Sequence, residues 1–271
     1  MAETDSADFN ADPIEASEFS YRELASDAPA ASAALASETA LAISYNGINQ
    51  AVMMVSPGNL EDFIRGFSLT NEIVTGPEQI YDISITAGEE SHTAEVEIAS
   101  RNFWALKNSR RQMAGTTGCG ICGVEAIDQA LPQLVALEAS PLPALALFSE
   151  LRQKVNAAQQ VARSSGALHA ALYLDDSGKV VLCREDIGRH NALDKLIGAM
   201  LHQQVDSQSG MVVMTSRCSL ELIHKAVRAK IATLVTLSAP TALTVQWARR
   251  YRLNLIHVPH HSPPRVYSPA P

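Results

Sequence analysis

Met211-Val212-Val213-Met214-Thr215, Leu220 to Lys230, Ala232-Thr233-Leu234-Val235-Thr236-Leu237, Ala242 to Arg252 and Asn254-Leu255-Ile256-His257-Val258 follow one another with only short polar joints between them. The short runs are apolar and β-branched, whereas the longer ones repeat apolar residues at helical spacing. Such alternation predicts strands joined by single helices, and strands joined in that way lie parallel in one sheet. Working backwards, Ala167 to Leu174 and Lys179 to Cys183 flank the turn Asp175-Asp176-Ser177-Gly178, which predicts an antiparallel hairpin at the sheet edge. Asn191 to Gln203 supplies the helix leading from that hairpin to Met211. The fold class is therefore α/β, with a layered C-terminal domain over residues 141–271.

Upstream the pattern changes. Pro141 and Pro143 break the chain, and Leu145 to Arg163 reads as one long amphipathic helix. Before them, residues 39–140 read as a smaller α+β domain. Asn46-Gly47 between Leu41 to Tyr45 and Ile48 to Val55 is a strong hairpin signal, and Ile80 to Ile85 with Thr93 to Ile98 predicts a second. Ser56-Pro57 starts a helix whose apolar face carries Leu60, Phe63, Ile64, Phe67 and Leu69. Asn102 to Met113 predicts another, ending in Arg110-Arg111. Residues 1–38, rich in Ala, Ser, Asp and Glu, are expected to form a disordered acidic tail.

That tail explains the charge. The net charge of −8 comes from 29 acids against 21 bases, but residues 1–40 hold nine of the acids and one of the bases. The remaining 20 of each leave the folded part neutral, so a general basic surface for nucleic acid is not expected, although a local basic pocket for a phosphorylated ligand is compatible. No apolar run reaches the length of a membrane span, the N-terminus lacks a secretory pattern, and four cysteines in 271 residues suit reduced thiols. A cytoplasmic protein is expected.

Two of those cysteines stand in Thr116-Thr117-Gly118-Cys119-Gly120-Ile121-Cys122-Gly123. Three glycines leave the sulfurs of Cys119 and Cys122 uncovered, and a helix over Val124 to Leu131 would set its N-terminus beside Cys122, favouring thiolate. Arg110 and Arg111 would lie at the other end of the loop, as helix-end charges or as activators. Zinc is the rival, since the spacing is that of a ligand pair, but no second pair exists. The deaminase pattern also fails, with no His-x-Glu and no proline before the pair. A thioredoxin-type pair would follow a strand, and this one follows a helix. Cys183 and Cys218 read as packing residues.

Charge is dense at Arg184-Glu185-Asp186-Ile187-Gly188-Arg189-His190-Asn191-Ala192-Leu193-Asp194-Lys195, a strand-to-helix joint. Ser216-Arg217-Cys218-Ser219 and Ser238-Ala239-Pro240-Thr241 occupy the next two joints. Carboxyl ends of strands with helix N-termini beyond them accept anionic ligands, and three such joints suit a phosphate or pyrophosphate. The candidates are Arg189, His190, Asn191, Ser216, Arg217, Ser238 and Thr241. Helix capping and ion pairing are the plainer reading of the same residues, and His190 is open to reading as a general base, a zinc ligand or a structural histidine.

Taken together, Gly118-Cys119-Gly120-Ile121-Cys122-Gly123, the string Glu185 to Lys195 and Ser238-Ala239-Pro240-Thr241, in this order, resemble the FdhD family of formate dehydrogenase accessory sulfurtransferases, from about Leu41 to Tyr267. The resemblance implies a sulfur carrier that takes a persulfide from a cysteine desulfurase and passes the sulfur to the bis(molybdopterin guanine dinucleotide) cofactor of molybdenum or tungsten. That cofactor is bound as substrate on its way to formate dehydrogenase. The resemblance assigns the persulfide to Cys119, with Cys122 assisting, and requires no permanent metal. It further implies a cytidine deaminase-like second lobe without zinc, and a homodimer. The family's near-C-terminal cofactor segment aligns with Val258-Pro259-His260-His261-Ser262-Pro263, where this chain departs from the usual phenylalanine and arginine and offers Arg265 nearby. A binding-only cofactor chaperone is the alternative from another class, and a zinc-binding Cys-x-x-Cys module is a further one.

Overall fold

The structure, a computed structural model, describes residues 16–24, 29–115 and 131–271. The smaller lobe is a four-stranded sheet with the order β4-β3-β6-β5, built from β3 (Thr39–Tyr45), β4 (Ile48–Val55), β5 (Ile80–Ala87) and β6 (Ser91–Ile98). Both predicted hairpins are present and antiparallel, and β3 joins them by pairing in parallel with β6. The first turns at Asn46 and Gly47, with φ of 47° and 78°, the left-handed pair that Asn-Gly tolerates. Helix α1 (Leu60–Thr70) covers one face, closing Phe63, Ile64 and Phe67 over Leu41, Ile43 and Val96. Helix α2 (Ser100–Gly115) follows β6 and packs Phe103 and Leu106 against the same core.

The larger lobe is a six-stranded sheet with the order β12-β11-β10-β9-β7-β8. Its strands are β7 (His169–Leu174), β8 (Val180–Asp186), β9 (Met211–Met214), β10 (Thr233–Thr236), β11 (Asn254–His257) and β12 (Arg265–Ser268). As the alternation predicts, β9, β10 and β11 are parallel and the β7–β8 hairpin is the antiparallel edge. Three helices lie on one face. They are α5 (Arg189–His202), α6 (Leu220–Arg228) and α7 (Ala242–Arg250), packing Leu193, Leu196, Leu222, Ile223 and Trp247 onto the sheet. On the other face α3 (Leu151–Ala158) buries Leu151 and Val155 against Leu172, Val213, Val235 and Ile256.

Two expectations are corrected and one strand is added. The long helix over 145–163 is broken into a 3-10 turn (Leu145–Phe148), α3 and the short α4 (Ala162–Ser165). Glu150 takes a left-handed φ of 57°, and the buried Glu185 carboxylate accepts the backbone N–H groups of Gln160, Val161 and Ala162 at 3.0–3.1 Å, which a continuous helix would use internally. The region expected to be a disordered tail contains β1 (Ala16–Tyr21) and β2 (Ala31–Ala36), paired antiparallel over six residues. A backbone ladder needs no bulky side chains, and Ala36 anchors the pair on Val161, Leu168 and Ile187. Strand β12 is an addition. Three prolines precede it, and they mask a four-residue strand that returns antiparallel onto β11.

The lobes meet along α1 and α5. A Cβ on Gly66 would collide with the backbone carbonyl of Asp194, and one on Gly198 with that of Asp62, so the two helices cross at backbone contact. Each aspartate at the crossing is held by a cation from the larger lobe. Arg184 Nε lies 2.8 Å from Asp62, and Lys225 Nζ lies 2.8 Å from Asp194, which also accepts from Thr70 at 2.8 Å. Burial pushes the Asp194 carboxyl up, and Lys225 opposes that push. Among the described residues no helix is long and apolar enough to cross a membrane.

Candidate functional site

Cys119 and Cys122 lie outside the described residues, as does most of the helix expected after them. The structure gives their approaches. α2 ends at Gly115, with Arg110 and Arg111 in its final turns, and the chain resumes at Leu131. From there it runs along the larger lobe, where the Leu134 N–H donates to the Tyr251 hydroxyl at 3.3 Å and the Leu137 N–H to the Tyr251 carbonyl at 3.0 Å.

The other candidates fall on one rim, at the carboxyl ends of the parallel strands. Arg189 and His190 follow β8, Ser216 and Arg217 follow β9, Ser238 to Thr241 follow β10, and Val258 to Arg265 follow β11. Strands in a sheet are spaced ~4.8 Å, so the stretch from β8 to β11 spans roughly 19 Å, suited to an extended ligand. At its β8–β9 end two helix starts are adjacent. His190 Nε2 lies 3.0 Å from the Ser219 hydroxyl and 3.2 Å from the Glu221 carboxylate. Ser219 is the N-cap residue of α6, yet its hydroxyl is turned to His190, and among the described residues no side chain caps that helix. Gly188 at the start of α5 brings no capping side chain either. Two helix N-termini without side-chain caps thus lie side by side at this end of the rim. Among the described residues, Arg189 Nε is buried without a hydrogen-bond partner. Burial lowers the His190 pKa, with Glu221 opposing.

Not every candidate is free for a ligand. Thr241 caps α7, its hydroxyl accepting from the Thr244 N–H at 3.3 Å. Ser216 is buried, with its hydroxyl donating to the Arg217 carbonyl at 3.2 Å. Asn191 is also buried; its amide donates to the Met54 carbonyl and to Asp186 Oδ1, both at 2.9 Å. With Asp186, Asp194 and Lys195 it belongs to the joint between the lobes. Past β11, Val258 is buried, while His260, His261, Pro263 and Arg265 are exposed and Pro259 and Ser262 half-buried; Ser262 Oγ accepts from Arg265 at 3.2 Å.

Two residues at the rim carry no signal in the sequence. Arg152, on α3, donates to the carbonyls of Leu237 and Val258 at 3.0 and 2.7 Å, tying the ends of β10 and β11 from below. His169 opens β7 directly opposite Asp186 of β8. Apolar periodicity marks neither, because one sits on a helix and the other at a strand end with ordinary spacing.

Cys183 and Cys218 are buried as expected, Cys183 in the core under α3 and Cys218 in the core under α5 to α7, on opposite faces of the sheet. They cannot share one tetrahedral metal site. Burial pushes the Cys218 thiol up to about 12 and Cys183 up as well, which leaves both unreactive at neutral pH. Among the described residues no three His, Cys, Asp or Glu side chains are grouped to hold a metal ion.

Comparison with known proteins matches this architecture. The model of the FdhD/NarQ family matches residues 36–271. Curated proteins named sulfur carrier protein FdhD are similar over most of the chain. The one from Bordetella petrii is 42% identical over 235 residues, covering 86% of this chain and 84% of its own. That from Cupriavidus necator is 44% identical over 225 residues, covering 82% and 77%. A crystal structure of a candidate formate dehydrogenase accessory protein from Desulfotalea psychrophila superposes with a TM-score of 0.72 at 20% identity, covering 95% of this chain and 99% of that one.

Proposed function

The chain belongs to the FdhD/NarQ family, and from that premise we propose that it is a persulfide sulfurtransferase serving the molybdenum or tungsten bis(guanine dinucleotide) cofactor of formate dehydrogenase. One observation carries the reading. Relatives at 42% and 44% identity bear the name sulfur carrier, and the family match spans the segment with Cys119 and Cys122. The Cys119 thiolate attacks the sulfane sulfur of a cysteine desulfurase persulfide; the new S–S bond forms as the donor's breaks, and the donor leaves as thiolate. Cys122 thiolate then attacks Cys119 Sγ, expelling the outer sulfur as hydrosulfide for the cofactor and leaving a disulfide that a thiol reductant reopens.

The rim supplies the cofactor site. Its phosphates would meet Arg189, Arg217 and the amides that open α5 and α6, while Val258 to Arg265 and Ser238 line the far end. A larger lobe of cytidine deaminase type is supported by its antiparallel hairpin leading into three parallel strands. Sulfur chemistry on reduced thiols fits the cytoplasm, and a homodimer follows from the family resemblance.

The competing class is a chaperone that escorts the cofactor without moving sulfur. Cys119→Ala separates the two. The transferase reading expects formate dehydrogenase activity in cells lacking the native protein to fall at least a hundredfold while binding of GDP, as a probe of the rim, stays unchanged. Activity that survives the substitution favours the chaperone.

A further inference from the structure

His169 stands at the same rim, and among the described residues Asp186 is the carboxylate that favours a proton on its ring. Asp186 faces it across the β7–β8 ladder. That carboxylate is already occupied: Lys195 Nζ and the Ser56 N–H reach Oδ2 at 2.8 and 2.9 Å, and the Gly188 N–H and Asn191 amide reach Oδ1 at 2.8 and 2.9 Å. The remaining charged neighbours are Arg189 at the start of α5 and Arg217 beyond β9, both repelling a proton on the ring. His190 adds to that repulsion when charged, and beyond it Glu221 and Lys225 of α6 act on His190. His190 thus has a carboxylate at hand, whereas His169 has two arginines and an aspartate whose oxygens are already hydrogen-bonded elsewhere. Burial first, and then Arg189 and Arg217, hold the His169 imidazole below its ordinary 6.5, with Asp186 opposing them.

Resting on the phosphate reading above, we propose that His169 is a phosphate-binding residue of the rim, and that a dianionic phosphate enters together with one proton from solvent, kept on His169 between Arg189 and Arg217. A dianion placed there reverses the local field, because it pairs with both guanidinium groups and makes the imidazolium the favoured form of the ring. The uncapped starts of α5 and α6 and the unpartnered Arg189 Nε supply the other donors. Affinity for a phosphate dianion then rises as pH falls from about 8 to about 6.5, by at most about tenfold per pH unit for one linked proton. Below about pH 6 the ligand itself takes up a proton and the gain stops.

The test is an NMR titration of the histidine Cε1–H signals of the full chain, alone, with GDP and with guanosine, His169 being assigned from a His169→Gln variant. The expected result is an upward move of the His169 midpoint with GDP and none with guanosine. His169→Gln is expected to bind GDP with an affinity that varies less than twofold between pH 8 and 6.5. GDP binding that leaves the His169 midpoint where it was, or an equal shift with guanosine, overturns the inference alone. No binding of millimolar GDP by the wild type overturns the phosphate reading itself, and this inference with it.

Discussion

Lys195 has no exposed surface, yet its ammonium is satisfied. It lies 2.8 Å from Asp186 and donates to the Ser56 carbonyl at 2.8 Å and the Glu185 carbonyl at 3.4 Å. Burial lowers its pKa and Asp186 works against that. Removing one member of this pair leaves the other charge buried and unanswered, at a cost of about 3–5 kcal/mol. Lys195→Met is therefore expected to lower the unfolding free energy by that amount in urea titration, and a loss below about 1 kcal/mol would mean that the pair does not hold the joint. The charged string was legible in the sequence as important, but its division of labour was not. Glu185, Asp186, Asn191, Asp194 and Lys195 turn inward and Arg189 and His190 outward. The inward partners Ser56, Asp62 and Thr70 come more than 120 residues earlier, a distance over which local pattern carries no information.

Among the elements, the α1–α5 crossing sets how the lobes sit. An alanine in place of a helical glycine ordinarily stabilises by roughly 0.5–1 kcal/mol. At Gly198 the added methyl meets the backbone carbonyl of Asp62, which cannot swing aside as a side chain can. Overpacking of that kind costs typically 1–3 kcal/mol or more, so the clash decides the sign. Gly198→Ala is expected to lower the thermal midpoint, and a raised midpoint would show that the helices part without penalty. Elements defined by their own residues were readable, as in the Asn46-Gly47 hairpin and the β9-α6-β10-α7-β11 run. Those defined by a distant group were not. Glu185 breaks the expected 145–163 helix by taking the amides of Gln160, Val161 and Ala162, and β12 exists because β11 offers it an edge.

On the scale of the whole molecule, the proposed function draws on both lobes. The smaller ends in a helix that runs to the cysteine segment, and the larger presents a polar rim beside two open helix starts. The order of the strands was readable because each parallel strand is followed by its own helix. That the four joints share one rim follows from the sheet rather than from any one of them. His169 and Arg152 reach that rim from β7 and α3, so no joint motif could announce them. The central claim is that Cys119 carries the sulfur. Intact-mass spectrometry after incubation with a cysteine desulfurase and cysteine tests it directly, comparing the wild type with Cys119→Ala and Cys122→Ala. The expected result is a gain of one sulfur atom in the wild type and in Cys122→Ala that is absent from Cys119→Ala. A wild type that gains no sulfur beside a competent desulfurase, or a gain that persists in Cys119→Ala, would contradict it.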